Sequence, residues 1–349
     1  MTKKMTIDLN PNISRREWED YVFNHPEGTV YHLPAWKEVL EESLKYKPFY
    51  LFAKNSQQKI CGILPLFQVK SILTGNRLIS LPFAYVAGPI ADSNIIEQEL
   101  FKKAKRLHLS LKTDYLEIKS MVQKSVKWEM SDYFCIYQLK LLKDTQAVFK
   151  TFQRDSIRKG INRAKKKGVT VVQDNSLKGL KIYYQLDLMN KSNLGVAAHP
   201  LFFLEKIFQE MPEYFRLYLA KFEGKFVAGL IDFNYKKTAL AVYGASDKKY
   251  LKYYSNTLLY WQAIEDACLE GYEIFDFGRT AQDNTNLITY KKKWGTKEQK
   301  LFYYYYPKKI NKLSNERSGF KYKILTNIWK KMPLVVSGKL SNLLYKHLD

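Results

Sequence analysis

"FRLYLAKFEGKFVAGLIDFNY", residues Phe215 to Tyr235, decides the fold. Two apolar runs, Phe215–Phe222 and Phe226–Tyr235, flank the polar triplet Glu223-Gly224-Lys225. Short β-prone runs around a glycine-bearing turn predict a hairpin. Moving toward the C-terminus, "ALAVYGAS", Ala239 to Ser246, predicts a third strand. Leu258, Leu259, Ile264, Ala267 and Cys268 then recur at helical spacing over residues 255–270. Ser255 or Asn256 serves as the expected N-cap and Gly271 as the stop. "YEIFDFGR", Tyr272 to Arg279, reads as the closing strand.

The first half repeats this order of strand, turn, strand, strand, helix, strand. "KPFYLFAKN" (Lys47–Asn55), "KICGILPLFQVK" (Lys59–Lys70) and "RLISLPFAYVAGPI" (Arg77–Ile90) are extended apolar runs. Ile95, Leu100, Ala104, Leu107 and Leu111 predict a helix over Asn94–Leu111, and "YLEIKS", Tyr115–Ser120, closes the set. The class is α/β, of the α+β kind, with two similar halves. A length of 349 residues fits two domains. The expected division is 1–145, 146–307 and a basic tail, 308–349.

Lys and Arg total 57 against 34 Asp and Glu, a formal charge of +23. Such an excess does not help folding and points to a polyanion: nucleic acid, nucleotide phosphate, phospholipid or anionic glycan. A lysine-rich solubilising surface is the other reading. "VFKTFQRDSIRKGINRAKKKGVTVV", Val148 to Val172, concentrates the charge. Ile157, Ile161 and Ala164 keep helical spacing there, predicting a basic amphipathic helix that ends near Gly168. The tail mixes Trp329, Leu334 and Leu340 with lysines, which fits either an interfacial segment or a docked helix. Cys61, Cys135 and Cys268 are scattered, so neither a disulfide framework nor a zinc site is expected, and each is read as a small buried hydrophobe. The N-terminal "MTKKMTIDLNPN" lacks a signal-peptide core, and no run approaches the ~18 apolar residues of a span. The expected location is therefore cytoplasmic, with peripheral contact on the inner face of the membrane left open.

"SDKKYLKYYSN", Ser246 to Asn256, brings Lys248, Lys249 and Lys252 beside a helix start, where unpaired N–H groups and the helix dipole favour anions. The GNAT acyltransferase fold binds the pyrophosphate of acyl-CoA at this place with a glycine-bearing loop. The present loop has tyrosines and no glycine, which disfavours acetyl-CoA. "DFG" at Asp276–Gly278 is not a kinase signature, since no Gly-rich loop or His-Arg-Asp motif accompanies it. No Gly-x-Ser-x-Gly elbow supports a hydrolase.

"VYHLPAWKEVLEES" (Val30–Ser43), "GILPL" (Gly62–Leu66), "GNRLISLPFAYVAGPIAD" (Gly75–Asp92), "IRKGINRAKKKGV" (Ile157–Val169), "LGVAAHPLFF" (Leu194–Phe203), "DFGRT" (Asp276–Thr280), "YKKKWG" (Tyr290–Gly295) and "IWKKMPLVVSGKL" (Ile328–Leu340) follow one another in order. This series resembles the Fem family: the non-ribosomal peptidyltransferases of peptidoglycan precursors and their FemAB-like relatives in exopolysaccharide and exosortase systems. The resemblance spans nearly the whole chain. It implies two tandem GNAT-like domains with a cleft between them. It also implies an N-acyl or aminoacyl transferase acting on a cell-envelope precursor, peptidoglycan or exopolysaccharide. The acyl donor would be a co-substrate, aminoacyl-tRNA or an acyl thioester, with no tightly bound cofactor and no metal. The partner would be a polyanionic substrate: tRNA, or a nucleotide- or lipid-linked sugar precursor. The family's Phe/Tyr-Lys-x-x-Trp/Phe motif falls on Tyr290, Lys291 and Trp294. Lys291 is thus the expected oxyanion stabiliser, at the start of a short helix, with Asp276 and Arg279 fixing the groove wall. His199, Arg158, Arg163, Trp36 and Tyr243 complete the substrate-binding candidates. A non-catalytic protein of the same fold, gripping RNA or an anionic membrane, is the competing reading.

Overall fold

The computed structural model describes residues 5–307 and 320–348. They divide into two compact units. One holds residues 5–134, 300–307 and 346–348; the other holds 135–299 and 320–345. The sequence-based division at 145 and 307 therefore shifts. The strand Phe302–Tyr306 joins the sheet of the first unit, and the strand opening at Phe134 joins that of the second. Strand pairing across long sequence separations leaves no trace in local pattern.

In the first unit, β1 (Thr6–Leu9), helices α1 (Arg15–Asn24) and α2 (Pro34–Leu44), and the short β2 (Lys47–Pro48) precede β3 (Leu51–Lys54) and β4 (Ile60–Leu64). The chain continues through β5 (Phe67–Ser71), β6 (Gly75–Ile79), β7 (Ile90–Ala91), α3 (Asn94–Leu111), β8 (Tyr115–Ser120) and β9 (Glu129–Ser131). Two sheets result, ordered β1-β3-β4-β7 and β2-β5-β6-β8-(302–306)-β9. Each extended run of the sequence is cut where the chain passes from one sheet to the other. Pro65 separates β4 from β5, as expected of a residue that cannot donate to a ladder. The run expected over Arg77–Ile90 also breaks, because Leu81 and Phe83 take left-handed backbone (φ 59° and 61°). The Lys119 ammonium, 4% exposed, donates to the Leu81 and Ala84 carbonyls and holds that loop. Leu100, Phe101 and Ala104 of α3 pack with Leu64, Leu116 and Ile118.

The second unit opens with β10 (Phe134–Lys140) and α4 (Thr145–Thr151). The basic stretch is not one helix: a π-turn over Arg154–Arg158 leads into α5 (Lys159–Lys166). Ile157, Ile161 and Ala164 are buried there, and the charges face out. Then come β11 (Thr170–Gln173), α6 (Leu177–Leu194), α7 (Leu201–Glu210), β12 (Phe215–Phe222), β13 (Lys225–Tyr235) and β14 (Thr238–Ser246). Glu223 and Gly224 both have positive φ (48° and 74°), the primed geometry that a two-residue hairpin requires. Helix α8 (Ser255–Leu269) crosses to β15 (Ile274–Ala281), followed by α9 (Thr285–Lys292) and β16 (Lys297–Lys300). The seven strands run β11-β12-β13-β14-β15-β10-β16. Helix α8 covers one face, with Leu258, Trp261 and Ile264 in a core that includes Phe275, Phe277 and Trp294. Helix α6 brings Tyr183 against Gly229 of β13. All three cysteines are free and buried.

The C-terminal helices α10 (Phe320–Lys331) and α11 (Leu334–Leu344) follow; residues 308–319 and 349 of the expected tail lie outside the described residues, as do 1–4. Helix α11 presents its small face to the body: Ser337, Gly338 and Ser341 are buried, and Ser341 Oγ accepts the Ala198 N–H at 3.0 Å. Val335 (70% exposed) and Leu343 (63%) point outward instead. Gly195 caps α6 at φ 77°, and a Cβ there would lie 2.6 Å from the Thr326 carbonyl. Gly195→Ala should therefore loosen α10 and cost roughly 1–2 kcal/mol for the left-handed backbone. Limited proteolysis checks this, with cleavage near residues 326–333 expected sooner in the variant than in wild type.

Candidate active site

Strands β14 and β15 run parallel, but they pair over just three positions, Thr238–Leu240 against Ile274–Asp276. Beyond these they part. Two local features open the fork. On the β14 side, the register to β13 shifts between Ile231↔Tyr243 and Asp232↔Ala241, a bulge that bends the strand. On the β15 side, Gly278 has φ 72°, and a Cβ there would stand 3.2 Å from the Ala241 carbonyl. A left-handed residue at this point needs glycine.

Parted strands leave backbone carbonyls without a ladder partner, and these must be satisfied. Lys291 does so on β15. Its Nζ donates to the Phe277 carbonyl at 2.6 Å and the Gly278 carbonyl at 2.7 Å. The side chain is 5% exposed. Burial pushes its amine down to about 8, against an opposing pull from Asp276. Two of the three ammonium hydrogens are committed, which leaves one. Lys291 lies in the last turn of α9, not at its start, because Asn284 caps the helix six residues earlier than the motif suggested. Asp276 is 1% exposed; its Oδ1 accepts the Gly278 N–H at 2.7 Å and its Oδ2 the Gln138 amide at 3.1 Å. Asp276 thereby fixes the turn from which Lys291 hangs. Arg279, next along the strand, is exposed. Tyr290 is half-buried, and burial pushes its phenol up to about 12. Trp294 is 0% exposed, 5.1 Å from Phe152 and 5.7 Å from Phe277, and so acts by packing.

The other wall of the fork is β14. Tyr260 of α8 reaches across: its ring stacks on Phe277 at 5.6 Å, and its hydroxyl would touch a Cβ at Gly244 at 3.2 Å. On the opposite strand face Tyr243 meets His199, centroids 4.5 Å apart. His199 Nδ1 lies 2.9 Å from Asp187 Oδ2, which also accepts the His199 N–H at 2.9 Å. Burial alone would raise the Asp187 carboxyl, but His199 holds it below the ordinary carboxylate value. The Tyr183 and Tyr243 hydroxyls are buried and have no hydrogen-bond partner among the described residues. Burial raises both phenols, so both are protonated donors at neutral pH.

At the end of the fork, the chain between β14 and α8 forms a 3-10 turn over Lys248–Tyr253, capped by Asp247. The N-cap of α8 is Tyr254 in left-handed geometry, with no side-chain cap, rather than Ser255 or Asn256. Ser255 is wholly buried, and the Asn256 amide instead donates to Ser246 Oγ. Arg163 donates to the Tyr254 hydroxyl at 3.0 Å, and the Lys167 and Lys252 ammoniums lie 5.1 and 5.2 Å from the Tyr253 ring. The basic helix and the lysine turn therefore meet at one helix start. Arg158 is half-buried on the π-turn before α5.

Within the second unit, Lys291, Asp276, Arg279 and Tyr290 gather on the β15 side, and His199 with Tyr243 on the β14 side. Trp36 belongs to the first unit, wholly buried 5.3 Å from Tyr31. Sequence reading missed Asp187, Gln138, Tyr183 and Tyr260. Asp187 carried a signal: it is an acid between leucines in "YQLDLMN", on a helix whose neighbouring Leu186 and Leu188 are buried. Among the described residues, no cluster of His, Cys, Asp and Glu could hold a metal ion.

Residues 151–292 match the family model described as an acetyltransferase (GNAT) domain. No curated protein matches the chain. Among solved structures, FemX superposes with a TM-score of 0.65 at 15% identity, over 86% of this chain and 97% of that one. A tandem GNAT protein from the clavulanic acid biosynthesis pathway gives 0.55 at 11% identity, over 86% and 98%. L-PGS from Bacillus licheniformis gives 0.52 at 15% identity, over 91% and 98%. At such identities the likeness is one of fold. The chain carries the FemAB-like fold of two GNAT-like domains in tandem, and the acetyltransferase-domain match in its second half supports transferase activity.

Proposed function

We propose that this chain is an N-acyl or aminoacyl transferase that modifies a cell-envelope precursor at the cytoplasmic face of the membrane. The observation that carries the reading is the fork between β14 and β15, with Lys291 seated on one wall. An amine attacking the ester or thioester carbonyl creates an oxyanion, and the remaining Lys291 hydrogen would stabilise it. Positioning and charge stabilisation can carry most of the acceleration, because the donor is already activated. Arg279, exposed at the strand end, is the residue proposed to grip the acceptor. Arg158, Arg163, Lys167 and Lys252 around the start of α8 suit donor phosphates. The glycine-free turn at Lys248–Tyr253 disfavours a tightly cradled pyrophosphate and favours aminoacyl-tRNA over acetyl-CoA, an acyl carrier thioester being the next candidate. The envelope assignment rests on the Fem resemblance and on the FemX fold.

No helix among the described residues is long and apolar enough to cross a membrane. The outward Val335, Val336 and Leu343 of α11, with Lys330, Lys331 and Lys339 nearby and exposed, favour peripheral contact with anionic lipid.

Transfer is tested by incubating the protein with radiolabelled aminoacyl-tRNA and acyl-CoA pools and an envelope extract. Label should move to lipid- or nucleotide-linked sugars. Lys291→Met should lower that turnover by ~10²–10³ with binding nearly kept. Equal turnover would leave Lys291 a structural clamp and favour a non-catalytic RNA- or membrane-binding role.

Stability provides a second test of the same residue. The folded amine titrates at about 8 and the unfolded one near 10.4. Between these values the unfolded chain binds the extra proton, so Lys291 makes stability rise with pH across that window. Subtracting Lys291→Met from wild type isolates this slope from that of Lys236, which burial also lowers to about 8. Urea melts between about pH 7 and 10.5 should give a positive wild-type-minus-variant slope.

Vesicle flotation tests the membrane contact. Val335→Ser with Leu343→Ser should release the protein from anionic vesicles, to which each nearby basic residue contributes ~1 kcal/mol.

A further inference from the structure

The reaction proposed above lacks a proton acceptor. An amine that attacks a carbonyl must lose a proton, and Lys291 already directs its hydrogens at carbonyls. The Asp187–His199 pair lies against Tyr243, on the stretch of β14 past the last residue paired to β15. Asp187 is 0% exposed and ionised, so it can only accept; His199 Nδ1 must therefore carry the hydrogen between them at 2.9 Å. That fixes the tautomer with Nε2 as the acceptor. No described residue hydrogen-bonds Nε2, and the side chain is 11% exposed, enough to meet a substrate and too little to float. The backbone N–H of His199 on the same carboxylate oxygen locks the ring a second time. A buried carboxylate that orients an imidazole is the arrangement that makes histidine a base.

The surroundings also call for a ligand. Tyr243, its ring tilted at 55° and 4.5 Å from that of His199, and Tyr183 present buried hydroxyls with no partner among the described residues. A buried donor without an acceptor is unfavourable, and a substrate acceptor atom would remove that cost. Tyr243 lies on β14 beyond the last residue paired to β15, so this cluster adjoins the unpaired stretch of the strand.

We infer that His199 is the general base of the transfer: its Nε2 takes the proton of the attacking amine, and Asp187 positions the ring. The inference rests on the transferase reading above. As the N–C bond forms, one amine proton moves to Nε2. As the bond from carbonyl carbon to the donor oxygen or sulfur breaks, the imidazolium returns that proton to the leaving group. Nothing is oxidised or reduced. The titratable groups facing the pair are Tyr183 and Tyr184 with Lys191 on α6, Tyr243 on β14, and Tyr345 on the C-terminal turn, 5.7 Å from the ring.

The test uses the full-length protein, the labelled aminoacyl-tRNA and acyl-CoA pools and the envelope extract, with and without added imidazole, each read over an enzyme-free control. Wild-type transfer should rise with pH, and His199→Gln should lose ~10²-fold or more together with that rise. Asp187→Asn should give a smaller loss of the same pattern. His199→Gly should be restored in part by imidazole, which a residue that only supports the fold would not show. A His199→Gln enzyme that retains its rate, or a His199→Gly enzyme that imidazole does not restore, overturns the role of His199 while leaving the transferase reading intact. A pH inflection at about 8 that persists in His199→Gln and vanishes in Lys291→Met assigns the base to Lys291 and also overturns it. Wild type that moves no label overturns the transferase reading, and this inference with it.

Discussion

The second unit depends on one buried ammonium. A sheet whose strands part exposes backbone that neither water nor a neighbouring strand satisfies. Lys291 resolves this by donating to two successive carbonyls, Phe277 and Gly278. Successive carbonyls of a regular strand point opposite ways; the positive φ of Gly278 brings these two within reach of one amine. Asp276 holds the same turn from the other side through the Gly278 N–H. The fork, the glycine, the acid and the lysine are one device. Removing the lysine would leave the two carbonyls it serves short of a donor.

The first unit contains the same beginning with a different end. There β6 pairs in parallel with β8 across α3, as β14 pairs with β15 across α8. Past Ile79, however, the chain stays stitched to β8. Ser80 N–H donates to Glu117, the Lys119 N–H donates to Ser80 Oγ, and the Ala87 N–H donates to Lys119. A second buried lysine, Lys119, draws the Leu81 and Ala84 carbonyls into the space. The space beyond that pairing is thus filled by the loop of the first unit itself. This supports placing the chemistry in the second unit, where residues 151–292 carry the acetyltransferase-domain match.

The elements of the fold were legible because they are local. The Glu223-Gly224 hairpin, the α3 and α8 periodicities and the burial of Ile157, Ile161 and Ala164 follow from spacing and turn chemistry. What escaped depends on contacts distant in sequence. Residues 302–306 pair with β8 more than 180 positions earlier, so the unit boundaries moved. The Tyr254 cap replaced Ser255 because Arg163 and the 3-10 turn hold Tyr254 in left-handed backbone. The DFGR and YKKKW words flagged Asp276 and Lys291. The sequence could not show that their polar atoms bind backbone, which is a property of the turn at Gly278. His199 was visible; the Asp187 beneath it required the packing of α6.

The two walls of the fork differ in a way that suits acyl transfer. The β15 wall offers a cation, Lys291, where negative charge would develop. The β14 wall offers neutral phenols and an imidazole whose partner is an anion, where positive charge would develop on the attacking nitrogen. Interchanging them would fail: a second cation beside His199 would disfavour the imidazolium, and a carboxylate beside the oxyanion would oppose it. The exposed charge at the end of this fork, on α5 and the Lys248–Tyr253 turn, would then serve the phosphates of a polyanionic donor. Exposed charges separated by more than ~8 Å are largely screened in solution, whereas a buried lysine and a buried aspartate are not. In the proposed transfer the large net charge and the few buried charges would do separate work, one gathering the substrate and the other arranging its reaction.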